Sequence, residues 1–157
     1  MNGVSTGVAQ PDWAVIPQGN GVDPPPCVLL NGAEAPANLP TGPHIVFHPW
    51  SGGYRAHLRE WPADRWAELA HGLHHFGATV LLSGGLGDAP KSEALADAIR
   101  RKGVGCVSIA GIPIEPMIPV LKTSTVVVGV NTSVTHLASI LEAPTVMLQG
   151  PTSPRRW

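Results

Sequence analysis

Charge is scarce in this chain: Asp, Glu, Lys and Arg make up 13% of its 157 residues, and the formal net charge is −1. That excludes a protein held to nucleic acid by bulk positive charge, so no nucleic-acid partner is expected. A single anionic ligand bound through a local cluster remains open. Cysteine is nearly absent, with only Cys27 and Cys106. Cys106 lies in the apolar stretch Gly105-Cys-Val-Ser-Ile-Ala110 and reads as a small buried hydrophobe. Cys27 follows Pro24-Pro25-Pro26. These two give no disulfide framework, which points to a reducing compartment and a cytoplasmic location. The N-terminus lacks a basic start followed by an apolar run, so no signal peptide is expected. No apolar stretch approaches the roughly 20 residues needed to cross a bilayer. A soluble protein is expected, with peripheral contact at the inner face of the cytoplasmic membrane left open.

What is present divides in two. Residues 1–43 are rich in Pro and Gly and show no sustained apolar periodicity. They read as a linker-like segment, with Trp13-Ala-Val-Ile16 and Val28-Leu-Leu30 as candidate edge strands. From His44 onward, apolar runs alternate with helical patterns. Strands are expected at 44–48, 78–83, 105–110, 125–130 and 144–148. Helices are expected at 63–76, 91–102 and 132–141. The first helix has Pro62 at its start and carries a stripe of Trp66, Leu69, Ala70, Leu73 and Phe76, ending at Gly77. The second turns Leu95, Ala98 and Ile99 inward. A shorter helical piece within 115–123 is expected to begin at or after Pro116 and to be irregular, because Pro116 and Pro119 both fall there. Strands apolar on both faces and separated by helices predict an α/β fold with a doubly wound parallel sheet, Rossmann-like. Such a sheet commonly runs 3-2-1-4-5, and ligands bind beyond the strand ends where the order reverses.

That places a site in the loops after the first and fourth strands. The later loop, Asn131-Thr-Ser-Val-Thr-His136, starts a helix. A free helix start offers unpaired N–H groups and partial positive charge to a phosphate. The alternative is an ordinary N-cap with a packed histidine. The earlier loop, 48–62, carries His48-Pro-Trp-Ser-Gly-Gly53, then Arg55, His57 and Arg59. Small residues allow close backbone approach and arginine clamps phosphate oxygens; otherwise this is a surface loop with solvated charges. Leu82-Ser-Gly-Gly-Leu-Gly-Asp88 has only part of a dinucleotide fingerprint, with Pro90 where the third glycine belongs. Asp88 can accept from ribose hydroxyls or cap the next helix. His71, His74 and His75 share one helix without an acidic or cysteine ligand beside them, and a solvated face is the favoured reading over a metal.

Several of these segments, in this order, resemble glycosyltransferase family 9, the ADP-heptose:lipopolysaccharide heptosyltransferase family. They are His48-Pro49, Arg59-Glu-Trp-Pro62, Arg65-Trp-Ala-Glu-Leu69, Leu82-Ser-Gly-Gly85, Ala110-Gly111, Val128-Gly-Val-Asn-Thr-Ser-Val-Thr-His-Leu-Ala138 and 143–152. The resemblance covers about residues 44–157. It implies the C-terminal, nucleotide-sugar-binding lobe of a GT-B fold, with an acceptor-binding N-terminal lobe as partner. It also implies an inverting reaction that needs no metal and a general base supplied by the other lobe. The donor would be a nucleotide diphosphate sugar, ADP-heptose in the family, and the acceptor lipopolysaccharide or another glycan. On this basis the chain is expected to be half of an enzyme, cut short after Arg155-Arg-Trp157, with no catalytic residue and no metal ligand of its own. Arg59, the Ser51 and Gly52 backbone, and the helix start Asn131, Thr132 and Ser133 are assigned to the diphosphate. His136 supports them, Asp88 takes the ribose, and Gly111 and Ile112 face the base. The sequence departs from the family pattern at Asn131 (aspartate there), Ser133 (glycine), Arg59 (lysine), Glu60 (arginine) and Trp50 (commonly glycine). A non-catalytic nucleotide-binding module is the rival class, and a Rossmann-type oxidoreductase fragment a weaker third.

Overall fold

The computed structural model describes residues 34–37 and 39–150. The two candidate edge strands near the N-terminus, Cys27 and the closing Arg155-Arg-Trp157 lie outside them. Along the described chain run β1 (His44–His48), α1 (Ala63–Leu73), β2 (Thr79–Leu82), α2 (Ala89–Arg101), β3 (Cys106–Ser108), α3 (Ile114–Lys122), β4 (Val126–Val130), α4 (Ser133–Ile140) and β5 (Thr145–Leu148). Short 3-10 turns occupy Ala56–Leu58, His74–Phe76 and Leu86–Asp88. The five strands form one parallel sheet in the order β3-β2-β1-β4-β5. The expected class and strand order are both present.

Apolar residues on successive strand positions separate the two faces, because side chains alternate along a strand. Ile45 and Phe47 join Val80, Leu82 and Val128 against α1 and α2. Val46 joins Leu81 and Val127 against α3 and α4. Trp66, fully buried, is the largest piece of the first core and stands 5.1 Å, centroid to centroid, from Phe47. Cys106 is buried, as its apolar setting suggests, and desolvation pushes its thiol up to about 12. Among the described residues no helix is long and apolar enough to cross a membrane.

Two expectations need correction. α3 begins at Ile114, ahead of Pro116, and runs through Pro119. Pro116 falls in the first turn, where backbone N–H groups have no acceptor inside the helix, so its missing N–H costs no bond there. Pro119 does forgo one helical bond, yet its carbonyl is used: it accepts from the Thr123 N–H at 3.1 Å and from Thr123 Oγ1 at 2.8 Å. Phe76 belongs to no core stripe. The chain tightens into a 3-10 turn after Leu73, which changes the angular step per residue and leaves Phe76 61% exposed. Gly77, at φ 66°, then closes the segment.

Candidate functional site

A cavity of about 350 Å³ opens at the carboxyl ends of β1, β2 and β4, where the strand order reverses. Its walls come from the ends of β1 and β2 (His48, Ser83), the α4 start (Thr132, Ser133) and the segment around Ile112 and Met117. α4 begins there because Thr135 organises the turn. Thr132 is extended (φ −146°, ψ 172°), and its N–H donates to Thr135 Oγ1 at 3.1 Å. Thr135 Oγ1 lies 3.0 Å from the Val130 carbonyl and 2.9 Å from that of Thr132. This fully buried threonine seats against Gly129. A Cβ at Gly129 would stand 2.6 Å from Thr135 Cγ2 and 3.0 Å from the His48 carbonyl. Thr132 lines the same space, and its Oγ1 is buried with no side-chain partner among the described residues.

Asn131 and His136 stand behind this turn. His136 Nε2 is 2.9 Å from Asn131 Oδ1, and Asn131 Nδ2 donates to Gln149 Oε1 at 3.2 Å. This chain of contacts pins the β4–α4 turn to the end of β5.

The loop after β1 is held from inside. The Ser51 N–H donates to Glu60 Oε1 and its hydroxyl to the Ala56 carbonyl, each at 2.8 Å. Arg59 donates through Nη2 to the Gly52 carbonyl. Of the pair expected to face the diphosphate, only Gly52 lines the cavity. The Ser51 N–H is already bound, because Glu60 folds beneath the loop. Arg55 sits over the Tyr54 ring, 5.2 Å from its centroid, on the exposed side.

Trp50 turns into the fold. It is 8% exposed, its indole N–H donates to Ser92 Oγ at 2.7 Å, and Lys91 Nζ stands 4.4 Å from the ring centroid. Lys91 also pairs with Asp88 Oδ1 at 2.9 Å and Glu60 Oε1 at 3.6 Å. Asp88 lies at the α2 N-cap position, but its carboxylate reaches back to accept the Gly85 N–H at 2.8 Å. Gly84 is required beside it, since a Cβ there would stand 2.8 Å from Trp50 Cδ1. One lysine thus ties the β1 loop, the β2 loop and α2 together at the cavity rim.

His48 ends β1 in the cavity wall. Its Nδ1 is 2.8 Å from Ser83 Oγ, and Ser83 Oγ donates to the Phe47 carbonyl at 3.2 Å. Burial lowers the imidazole to about 4, against a smaller opposing pull from the Asp88 charge. The ring is therefore neutral at pH 7.

The structure brings Gly52, Asp88, Ile112, Thr132 and Ser133 to one cavity. Ser51, Arg59, Gly111, Asn131 and His136 support its walls instead. Gly111, at φ +90°, donates its N–H to the Gly84 carbonyl at 2.9 Å and so joins the β3 and β2 loops. His48, Trp50, Ser83, Gly84 and Met117 line the cavity and were not assigned from sequence. A polar residue closing an apolar strand, as His48 and Ser83 both do, was the available signal. His71, in α1, and His74 and His75, in the turn after it, are solvent-facing, with the His71 and His74 rings stacked at 5.1 Å.

Comparison with known proteins bears on the family and the fold. The profile of glycosyltransferase family 9 (heptosyltransferase) matches residues 31–157. Lipopolysaccharide heptosyltransferase 1 of Pseudomonas aeruginosa is 32% identical over 118 residues, which is 73% of this chain and 31% of that protein. The structure of Escherichia coli ADP-heptose LPS heptosyltransferase II matches with TM-score 0.63 and 28% identity, covering 71% of this chain and 34% of the other. The E. coli heptosyltransferase WaaC, solved with ADP-2-deoxy-2-fluoro heptose, matches with TM-score 0.62 and 28% identity over 74% and 36%. The chain spans about a third of the length of the curated relatives it matches.

Proposed function

From the premise that this chain belongs to glycosyltransferase family 9, we propose that its cavity binds the nucleoside diphosphate part of a nucleotide-sugar donor. The transfer it serves is inverting, from an ADP-heptose-like donor to a lipopolysaccharide or other glycan hydroxyl. The observation that carries this reading is the α4 start: Thr132 and Ser133, at the N-terminus of the helix, line the cavity. A phosphate is met by the free N–H groups of such a terminus, and a departing diphosphate gains from it as its charge grows. Relatives support the choice of ligand, since WaaC has been solved with ADP and with an ADP-heptose analogue.

The cavity is equipped for the leaving group. Asp88 is the one carboxylate among its described lining residues, and Lys91 and the Gly85 N–H already occupy it. A base that removes the acceptor proton must lie within hydrogen-bond reach of the attacking hydroxyl; in this reading it comes from an acceptor-binding lobe. The same occupancy of Asp88 favours, as a second reading, a nucleotide-binding module without turnover. Acceptor-dependent sugar transfer, with an acceptor lobe supplied in trans, separates the two. The first test is a thermal-shift comparison of ADP, UDP, GDP and CDP, because a ligand that binds only the folded chain raises its melting temperature. No shift with any of the four would sink the proposal.

Two outcomes follow from the charges. Arg59 braces the Gly52 carbonyl beside the cavity, and in this reading its guanidinium also meets the diphosphate. Arg59→Ala is expected to weaken nucleoside diphosphate binding by about 1.5–3 kcal/mol, the scale of a hydrogen bond to a charged group. Calorimetric titration checks this, and an unchanged Kd removes Arg59 from the site. The chain has no Asp-x-Asp motif to supply a Mg²⁺ cage. Nucleotide binding is therefore expected to survive EDTA, and its loss on chelation would count against this reading.

A further inference from the structure

His48 is the most deeply set titratable group in the cavity wall, and no charge-based role accounts for it. It is 7% exposed, and Ser83 beneath it is fully buried. Their hydrogens can be counted. A serine hydroxyl has one proton. With that proton directed to the Phe47 carbonyl at 3.2 Å, the Ser83 oxygen accepts from the imidazole, and this is the arrangement the inference takes. The 2.8 Å contact is then Nδ1–H donating to Ser83 Oγ. A neutral imidazole with its proton on Nδ1 carries a lone pair on Nε2. Nε2 makes no hydrogen bond to any described residue, and the ring lines the cavity. A lone pair there repels a phosphate oxygen and attracts a hydroxyl.

We propose that His48 is a specificity-determining residue of the donor cavity: Ser83 fixes its tautomer, and the bare Nε2 accepts a hydrogen bond from a hydroxyl of the bound nucleotide's ribose. This rests on the donor-site reading above and adds the group that recognises the ribose. It gives the cavity a division of labour, with the anion at the α4 start and a hydroxyl at the β1 end. Asp88, which accepts from Lys91 and the Gly85 N–H on one oxygen each, keeps lone pairs that can share the ribose. The lowered proton affinity of the ring supports the same picture, because only a neutral imidazole offers that lone pair.

The test has two parts on the full chain. Long-range ¹H–¹⁵N correlation at pH 7 reports which ring nitrogen carries the proton. The Nδ1–H tautomer is expected, and Ser83→Ala is expected to convert it to a mixture. An Nε2–H tautomer in the unaltered chain would overturn the proposal. ADP, 2′-deoxy-ADP and 3′-deoxy-ADP are then titrated against the unaltered chain, His48→Leu and His48→Gln. His48→Leu is expected to lose roughly five- to tenfold in ADP affinity, the worth of one neutral hydrogen bond. One of the two deoxy nucleotides should show the same loss on the unaltered chain and no further loss on His48→Leu. His48→Gln, which restores an acceptor, should recover most of the affinity. It also keeps the test decisive if His48→Leu does not fold. Equal penalties for both deoxy nucleotides in all three proteins would sink the proposal while leaving the donor site standing. Failure of ADP to bind the unaltered chain would overturn both.

Discussion

Gly129→Ala is expected to destabilise the chain by about 3 kcal/mol, the upper part of the range for overpacking a close-packed interior. The added methyl would stand 2.6 Å from Thr135 Cγ2, 2.9 Å from His48 Cβ and 3.0 Å from the His48 carbonyl. Little of this can relax. His48 pairs with Gly129 in the sheet register, and Thr135 is fully buried with its hydroxyl committed to the helix start. Real Cβ atoms do not approach this closely, so β1 and β4 must separate or α4 must lift. Either movement spoils the cavity, because His48 and the α4 start are two of its walls. For a domain of this size, 3 kcal/mol corresponds to roughly a 10 °C fall in Tm. Thermal unfolding followed by circular dichroism checks the number, and nucleotide titration of the folded variant checks the second effect. A variant with an unchanged Tm would show that the strands are not packed as described.

Acidification gives the second large effect. His48 titrates near 4 in the folded chain and near 6.5 when exposed on unfolding. Between those values the unfolded chain binds a proton that the folded chain refuses. Stability therefore rises with pH across that window and falls as pH drops through it. By linkage the fall from pH 7 to pH 4 amounts to about 3 kcal/mol for this one group. Asp88 acts against the shift, so replacing it with Asn should steepen the loss. Chemical denaturation at several pH values measures the profile. His48→Gln is the control: the part of the slope between pH 6.5 and 4 that disappears in it belongs to His48. A His48→Gln profile identical to that of the unaltered chain would show that the ring is not held neutral by burial.

The strand runs were plain in the sequence. His44-Ile-Val-Phe-His48 and Thr125-Val-Val-Val-Gly-Val130 are apolar on both faces, and that fixed a parallel sheet with helices on each side. What failed was local. Pro116 reads as a helix breaker unless its position within the first turn is known, and that position depends on where the helix starts. Phe76 continues an α-helical stripe on paper, but the chain has already tightened into a 3-10 turn. At the site, Thr132, Ser133 and Asp88 were legible because helix starts and strand-end loops carry recognisable residue types, and Ile112 came only through the family resemblance. Whether Ser51, Arg59 and Asn131 point into the cavity or brace it was not legible. That depends on Glu60 folding under the loop and on Gln149 reaching Asn131, contacts set by tertiary packing. His48 stood in the first loop and in the family motif but received no role, because only the depth of the cavity shows that its ring is part of the wall.

The clamp made by Lys91 has a consequence for how this site can diversify. The α4 side of the cavity is welded to the sheet through Gly129 and Thr135, and any side chain added there disturbs the core. The loop side is fastened by a half-exposed lysine bridging Asp88 and Glu60 across the Trp50 ring. Contacts of that kind tolerate exchange, since exposed ion pairs contribute little to folding. Mutation can therefore remodel one bank of the cavity while the other stays constant. New ligand preferences should arise by rewriting the exposed part of residues 52–60 and the Lys91 end of α2, while the α4 start stays constant.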